Sequence, residues 1–311
     1  MLGEITGPFQ RTLKTAIGCR GVGLHSGQRV AIDLVPAPPE TGIVFRRTDT
    51  GAEIRAVWEN AVESARCTVL SNGEGATVGT VEHLMAALAG AAVDNAIVEL
   101  NGPEVPIMDG SAGPFVFLIE CAGIVEQDAP RLAIKVQKPV SVVEHGALAA
   151  LYPDHGFSMS FEIDFDNPLI RHQDMSMAVD AGSFKSELSR ARTFGLLDDV
   201  DRLRAAGLAR GGSLDNVIVV SGDHVLNSGG LRYEDEFVRH KLLDAIGDLY
   251  LAGAPLIGRF RGVRSGHAHN RRLLAALFAD DEAWAYTTAT ASASTGAGTF
   301  ESRDEALLAT A

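Results

Sequence analysis

Apolar and polar positions alternate along much of the first third of the chain. Residues 11–47 change character at almost every step, with a proline-rich turn at 36–39, and the alternation continues through 51–70 and 95–100. A period of two is typical of strands that cover a core with one face. The pattern therefore predicts a β-sheet, with antiparallel strands in residues 11–47.

Two stretches of the same half have the spacing of a helix instead. Apolar side chains in residues 80–90 recur three, four and seven positions apart, and Thr80 precedes them as a candidate N-cap. Residues 115–123 predict a second helix. The polar stretch 127–130 ends in proline and is predicted to be a linker.

The second half repeats this order of strands, helix, strand and helix. Its predicted elements are strands within 133–165, a helical segment near 183–191, a strand at 256–260 and a helix at 270–278. An insertion-like stretch at about 193–233 lies among them. It contains a short amphipathic helix with Leu196, Val200 and Leu203 on one face, followed by a buried-looking strand at 217–220.

Length and composition narrow the class of protein. The 311 residues suffice for two domains with separate cores, which the repeated order of elements places at 1–127 and 131–311. A formal charge of −13 argues against binding to nucleic acid. Three scattered cysteines, no signal-peptide pattern and no long apolar run predict a cytoplasmic protein without a transmembrane segment.

The predicted helix around residues 239–248 carries the most suggestive polar residues. His240, Asp244 and Asp248 lie one turn apart, on a different face from the apolar stripe of that helix. An imidazole and a carboxylate four residues apart can hold one divalent cation on a single helix face. For an isolated pair of this kind, a solvated face with an ion pair is the simpler interpretation.

The first half offers a third ligand and a base. His83, His240 and Asp244 together make a set of three ligands with one open position, the pattern of a catalytic zinc site. A metal in such a site lowers the pKa of a bound water to about 7. Glu82, next to His83, is a candidate general base for that water, although most isolated Glu-His pairs are surface features.

His267 stands where the last predicted helix begins. A helix N-terminus disfavours the imidazolium, whereas a carboxylate partner such as Asp248 favours it. If the two meet, His267 can stabilise an oxyanion or protonate a leaving amine. His269 is interpreted as a surface residue, and Cys67 either as a small buried hydrophobe or as a residue that lines a site.

Five separate segments that contain these residues resemble one known family. The segments are residues 80–88, 107–112, 189–195, 239–248 and 265–267. In this order they resemble the UDP-3-O-acyl-N-acetylglucosamine deacetylase (LpxC) family, zinc amidases of the committed step of lipid A biosynthesis. The resemblance runs from about Arg11 through Tyr286. The chain differs from the family pattern in the extension before Arg11, in His269 and in the length of the loop at 166–183.

The resemblance implies an α+β fold of two similar domains. Each domain would be a β-sheet packed on two helices, with the helices sandwiched between the two sheets and the active site at the domain junction. The stretch at 193–233 would be a small β-α-β insertion in the second domain. The resemblance also implies that His83, His240 and Asp244 hold Zn²⁺, with Fe²⁺ as an alternative metal in the cell.

The resemblance further implies roles for residues around the metal. Glu82 would act as general base, His267 as the positively charged partner supported by Asp248, and Thr193 as a hydrogen-bond donor to the oxyanion. The implied substrate contacts are Lys241 at the diphosphate, Phe165 on the uracil, Phe194 near the glucosamine and acyl end, and Leu24 and Cys67 as lining residues. The resemblance makes the insertion the passage for the acyl chain, and the helical pattern offers Leu196, Val200 and Leu203 as candidates for its wall.

The expected function is hydrolysis of the N-acetyl group of UDP-3-O-acyl-GlcNAc by a monomeric enzyme. Two alternatives are a non-catalytic nucleotide-sugar binding protein and a zinc deacetylase of another N-acetyl sugar. The intact set of ligands together with Glu82 argues against the first, because a binding protein has no need of an open metal site. The residues leave open the acyl chain length and whether Glu82 acts alone or with His267 in proton transfer.

Overall fold

The computed structural model describes residues 7–64 and 66–288 of the chain. The outer ends of both predicted domains, residues 1–6 and 289–311, lie outside the described residues, as does residue 65. Within the described ranges, every helix is shorter or less apolar than a membrane crossing requires.

The first half of the described chain forms a sheet and two α-helices. Its elements are β1 (Phe9–Leu13), β2 (Ile17–Val22), β3 (Arg29–Pro36), β4 (Ile43–Arg47), β5 (Glu53–Arg55), β6 (Ala61–Val62), β7 (Val69–Ser71), β8 (Thr77–Gly79), α1 (Glu82–Gly90), β9 (Ala96–Leu100), α2 (Gly113–Ala122) and β10 (Ile124–Pro130). Five strands form the main sheet in the order β2-β3-β9-β4-β5. Strand β9 pairs antiparallel with β3 and parallel with β4, so the sheet is mixed.

The second half forms a larger sheet with its own helices. Its elements are β11 (Leu132–Val136), β12 (Val140–Glu144), β13 (Ala147–Tyr152), β14 (Phe157–Asp164), β15 (His172–Ala178), α3 (Ala181–Ser183), β16 (Phe194–Leu196), α4 (Leu197–Ala205), β17 (Ile218–Ser221), β18 (His224–Val225), α5 (Glu236–Leu249), β19 (Leu256–Val263), α6 (His267–Phe278) and β20 (Trp284–Thr288). Strand β19 is central to this sheet, because it pairs with β11, β13 and β14.

The predicted β-α-β insertion is confirmed, but Leu196, predicted on its helix, is the last residue of strand β16. Strand β16, helix α4 and strand β17 follow one another, and β16 pairs parallel with β17. A parallel pair needs a crossover connection, which α4 supplies here. The short strand β18 then adds antiparallel to β17.

The helices lie between the two sheets. One continuous cluster of buried residues includes Phe45 of the first sheet, Phe260 of the second, and Leu84 and Leu242 of the helices between them. Helix α1 packs on α2 and α5, and α5 packs on α6. The predicted α+β architecture of two sheet-and-helix domains is therefore confirmed.

Gly247 sets how closely α1 and α5 approach. A Cβ atom built on Gly247 would lie 2.0 Å from the carbonyl oxygen of Glu82, too close for any side chain. Only glycine allows the two helix backbones to touch at this point. The contact brings the first turn of α1 beside the second half of α5, close to the candidate ligands.

The predicted linker at 127–130 is wrong. These residues are the end of β10, which pairs antiparallel with β1. The Gln127 amide donates a hydrogen bond to the Ala37 carbonyl and accepts one from Asn95, so the polarity that suggested a linker serves hydrogen bonds within the first half. Pro130 is tolerated because it ends a two-stranded ribbon, where few ladder bonds need its missing N–H.

The prediction that Thr80 caps α1 is also wrong. The helix begins at Glu82, and Val81 stands at the cap position with no side-chain hydrogen bond. Thr80 has a φ of 55°, in the left-handed region, and its hydroxyl donates to the Glu104 carboxylate at 2.9 Å. The Thr80 hydroxyl therefore bonds to Glu104, a buried acid from a distant segment, and not to the backbone of the helix.

Candidate metal centre and active site

Two imidazoles and one carboxylate meet where α1 and α5 touch. The Nε2 atoms of His83 and His240 lie 3.5 Å and 3.2 Å from Asp244 Oδ1. One ligand atom from each residue can be chosen so that all three lie within 4.8 Å of one another. All three residues are buried. Ligand atoms this close can share one metal ion.

The protonation states of His240 and Asp244 suit a cation. Burial lowers the pKa of His240 to about 3, outweighing the opposite effect of Asp244, so its imidazole is neutral near neutral pH. Burial opposes ionisation of Asp244, but His240 and Lys241 outweigh it and hold the pKa of this carboxyl well below its ordinary value. A neutral imidazole and an ionised carboxylate are the forms that bind metals.

Hydrogen bonding around the group tests the fit of a metal more directly. Among the described residues, the buried Oδ1 atom of Asp244 has no hydrogen-bond partner. An unsatisfied buried acceptor is costly, and a cation at this point would satisfy it. The Nδ1 atom of His240 lies 3.1 Å from the Ala191 carbonyl oxygen, which leaves Nε2 for a ligand bond. These residues therefore fit a metal ion.

Glu82 lies beside this group with one oxygen held by the backbone. Its Oε2 accepts a hydrogen bond from the Thr68 N–H at 3.0 Å, and its Oε1 lies 3.9 Å from His267 Nε2. Burial raises the pKa of the Glu82 carboxyl above its ordinary value, although His267 and His83 act in the opposite direction. A carboxylate with a raised pKa is a better acceptor of protons near neutral pH.

The expected meeting of His267 and Asp248 is present. His267 is the first residue of α6, and its Nδ1 lies 2.8 Å from Asp248 Oδ2. Asn270, one turn later, donates to the same oxygen at 2.8 Å. Burial lowers the pKa of His267, but Asp248 outweighs this and raises it to about 9. The imidazole is therefore protonated near neutral pH.

A cavity of about 790 Å³ opens beside these groups. This volume lies in the range of small-molecule sites. The predicted site residues that line it are Leu24, Glu82, His83, Phe165, Thr193, Phe194, Leu196, His240, Lys241, Asp244 and His267. Residues from both halves of the chain thus face one space.

Four predicted site residues lie outside the lining of this cavity. Asp248 is buried behind His267. Cys67 is also buried and lines a smaller space behind His267. Val200 and Leu203 lie on α4, which packs on the insertion strands β16 and β17. In the part of the chain that the structure describes, neither side chain lines the cavity.

Several substrate-site residues have protein partners in the structure. Lys241 Nζ lies 2.6 Å from Asp244 Oδ2, so it supports the ligand carboxylate. The Phe165 and Phe194 rings meet edge to face, with centroids 5.7 Å apart. The backbone of Thr193 donates to Gly110 of the first half and accepts from Ile218 of the insertion. The arrangement fixes Thr193 at the junction of three segments.

Sequence reasoning missed some residues of the site. His269, interpreted as a surface residue, is half-buried and lines the cavity. The i, i+3 spacing of His267 and Asn270 could have placed Asn270 on the same helix face. Thr68 carries no signal in the sequence, because its partners are distant in the chain.

The fold and the site define a class of protein. It is an α+β protein of two sheet-and-helix domains, with a His-His-Asp group that could hold a metal ion where the helices of the two domains meet.

The chain belongs to the UDP-3-O-acyl N-acetylglycosamine deacetylase (LpxC) family, whose sequence model matches residues 10–279. A relative from Chromohalobacter salexigens, named UDP-3-O-acyl-N-acetylglucosamine deacetylase, is 55% identical over 283 residues, 90% of this chain and 93% of the relative. A relative of the same name from Marinobacter nauticus is 53% identical over 283 residues, with the same coverage of 90% and 93%. The resemblance predicted from five motifs is confirmed.

Proposed function

We propose that this protein hydrolyses the N-acetyl group of UDP-3-O-acyl-GlcNAc, with acetate and UDP-3-O-acyl-glucosamine as products. The observation that carries the proposal is the meeting of the His83-His240-Asp244 group with Glu82 and His267 around one cavity. The names of the two relatives support the choice of substrate. The same resemblance supports a place in lipid A biosynthesis.

Zinc is the metal we propose for the three-residue group. Two imidazole nitrogens and one carboxylate oxygen are a donor set that zinc accepts in catalytic sites, and the unsatisfied Oδ1 of Asp244 fits a cation. When bound, the ion would supply Lewis acidity that polarises a carbonyl and makes a water easier to deprotonate. Lys241 would hold the remaining carboxylate oxygen of Asp244 in place.

Glu82 and His267 would divide the proton transfers. Glu82 Oε1 is the oxygen not held by Thr68, and it would take the proton from the attacking water. His267, with its pKa raised to about 9 by Asp248 against the effect of burial, would enter the reaction protonated. It would stabilise the oxyanion together with Thr193 and then protonate the leaving amine.

The rest of the cavity would hold the substrate. Leu24, Phe194 and Leu196 give one part of its wall an apolar character suited to an acyl chain. Phe165 offers a ring for the uracil, and Lys241 is the cation we propose to contact the diphosphate. Val200 and Leu203 stay predictions for the outer part of the acyl passage.

The proposal is tested by measuring the acetate that the purified protein releases from its substrate. We expect release from UDP-3-O-acyl-GlcNAc, loss of release with a chelator and recovery with added Zn²⁺. UDP-GlcNAc without the acyl chain should be a much poorer substrate. Binding of the acylated substrate without acetate release would support a nucleotide-sugar binding protein instead. Equal release from both substrates would indicate a deacetylase of another N-acetyl sugar.

A further inference from the structure

Thr68 joins the two catalytic groups of opposite domains. It immediately precedes β7 in the first half, is only 7% exposed, and is absent from the set of residues that the family resemblance assigned to the site. Its backbone faces Glu82 of the first half, and its hydroxyl faces Asp248 of the second half. The two contacts therefore constrain different groups.

The backbone contact orients the proposed base. The Thr68 N–H donates to Glu82 Oε2, and the Thr68 carbonyl accepts from Val81 N–H at 3.4 Å. The segment is therefore held against the start of α1 at two points. With Oε2 engaged, Oε1 is the oxygen left on the side of His267, from which it is 3.9 Å.

The hydroxyl contact orients the carboxylate behind His267. The Thr68 hydroxyl donates a hydrogen bond to Asp248 Oδ1, with Oγ1 2.5 Å from that oxygen. The other oxygen of Asp248 then meets both His267 Nδ1 and Asn270 Nδ2. The Thr68 hydroxyl thus fixes the rotation of Asp248, which in turn sets the position of the His267 ring. Thr68 Oγ1 also lies 3.3 Å from His267 Nδ1.

We propose that Thr68 is a positioning residue for deacetylation. It sets the distance between Glu82 Oε1 and His267 Nε2 across the domain junction, through its N–H on one side and its hydroxyl on the other. The inference rests on the proposed function, in which these two groups move protons during one reaction. Misplacement of reacting groups by about 1 Å can cost about 100-fold in rate. Loss of the hydroxyl should therefore lower kcat and leave KM nearly unchanged.

Substitutions of Thr68 separate this role from simple packing. Thr68→Val keeps the shape and removes the hydroxyl, and we expect kcat to fall about 10- to 100-fold with less than a threefold change in KM. Thr68→Ser keeps the hydroxyl and should retain kcat within about threefold. If Thr68→Val does not fold, Thr68→Ala takes its place. Bound zinc and the melting temperature are measured for each variant.

Thr12 provides a matched control. It is similarly buried, and its hydroxyl donates to the Asn95 carbonyl and accepts from the Ala37 N–H. It is not part of the cavity lining. Thr12→Val should lower the melting temperature and leave kcat unchanged. A fall in kcat in Thr12→Val as large as that in Thr68→Val would mean that any buried threonine gives the effect, and it would overturn the inference.

A double-mutant cycle with Asp248→Asn is the decisive measurement. If the hydroxyl acts through Asp248, adding Thr68→Val to Asp248→Asn should lower kcat less than threefold further. If the two substitutions lower kcat independently, so that their fold-changes multiply, the inference is overturned and the proposed function stands. A normal kcat in Thr68→Val would have the same consequence. Absence of acetate release by the unchanged protein would overturn the proposed function, and this inference with it.

Discussion

Helices α1 and α5 touch at the domain junction, yet they supply the candidate site in different ways. Helix α1 contributes two adjacent residues of its first turn, Glu82 and His83, whereas α5 contributes His240, Asp244 and Asp248 at intervals of four residues. Adjacent positions on a helix point about 100° apart, while positions four apart lie nearly in line. The arrangement on α1 directs one residue to the metal group and its neighbour to proton transfer, whereas the arrangement on α5 joins the metal group to the proton-transfer pair along one face.

The distances follow this difference. On α1, His83 lies 3.5 Å from Asp244 in the metal group, while Glu82 turns towards His267 at 3.9 Å. On α5, Asp244 belongs to the metal group and Asp248, one turn later, bonds to His267 at 2.8 Å. Single substitutions on α1 should therefore affect either metal binding or proton transfer, whereas a displacement of α5 should disturb both.

The largest expected effect is loss of a candidate ligand from either helix. His83→Ala and His240→Ala should each lower zinc affinity by more than about 100-fold and abolish measurable acetate release, because two ligands hold a metal poorly. Zinc content after dialysis and acetate release measure this. His172→Ala, which removes an exposed histidine of β15, is the control and should keep full metal content. Normal zinc content in His83→Ala would show that α1 contributes no ligand to the metal centre.

Glu82→Gln tests the other function of α1. The variant keeps the shape and loses the basic oxygen, so we expect kcat to fall about 10²- to 10⁴-fold while zinc content stays at the level of the unchanged protein. The comparison with His83→Ala, its neighbour in the chain, is the sharpest test of separate functions. A loss of zinc in Glu82→Gln would show that the two positions act together.

Asp248→Asn tests the connecting role of α5 through the pH profile. Burial lowers the pKa of His267, and Asp248 raises it to about 9, so removing the charge should lower it. An acid is lost as the pH rises through its pKa, so the basic limb of kcat/KM should move from near pH 9 to lower pH. The rate at neutral pH should fall about 10- to 100-fold.

A partly buried aspartate controls for this charge change. Asp94, paired with Arg131 at 2.7 Å, lies away from the cavity. Asp94→Asn should reduce stability and leave the basic limb in place. An unchanged limb in Asp248→Asn would show that Asp248 does not set the protonation of His267.

Much of this site was predictable because its parts are local patterns. The four-residue spacing placed His240, Asp244 and Asp248 on one face of α5. The adjacent Glu-His pair in the first turn of α1 suggested His83 as their partner, and motif resemblance supported it. The helix and the following strand of the insertion were also predicted from local patterns, which depend on neighbours in the chain. Its β-α-β arrangement was implied by the resemblance. The cytoplasmic location, the monomeric state and the domain boundaries stay predictions.

The errors arose where distant segments compete for a polar group. The Thr80 hydroxyl bonds to Glu104 instead of capping α1, and Gln127 bonds within a ribbon instead of forming a linker. Thr68 and the half-buried His269 were missed for the same reason. Their surroundings depend on how the two domains pack, which the spacing of apolar and polar residues along the chain does not predict.

Gly247→Ala changes both helices at once and should have the smallest effect on turnover of the five substitutions of site residues. The new methyl group would lie 2.0 Å from the Glu82 carbonyl oxygen, so α1 and α5 must separate. Because backbone atoms yield less readily than side chains, we expect a loss of about 3 kcal/mol in the free energy of unfolding. Denaturant unfolding measures it, and zinc affinity and kcat should fall together, by about tenfold or less.

An exposed glycine gives the matched control for this substitution. A Cβ atom on Gly229 would meet no heavy atom within 4 Å, so Gly229→Ala should change the free energy of unfolding by less than about 0.5 kcal/mol. If Gly247→Ala were equally neutral, the close contact of α1 with α5 would not be required. If it lowered kcat but not zinc affinity, the two functions would be less tightly connected through α5 than the distances indicate. A joint fall in both would show that one backbone contact keeps the metal group and the proton-transfer pair in mutual position.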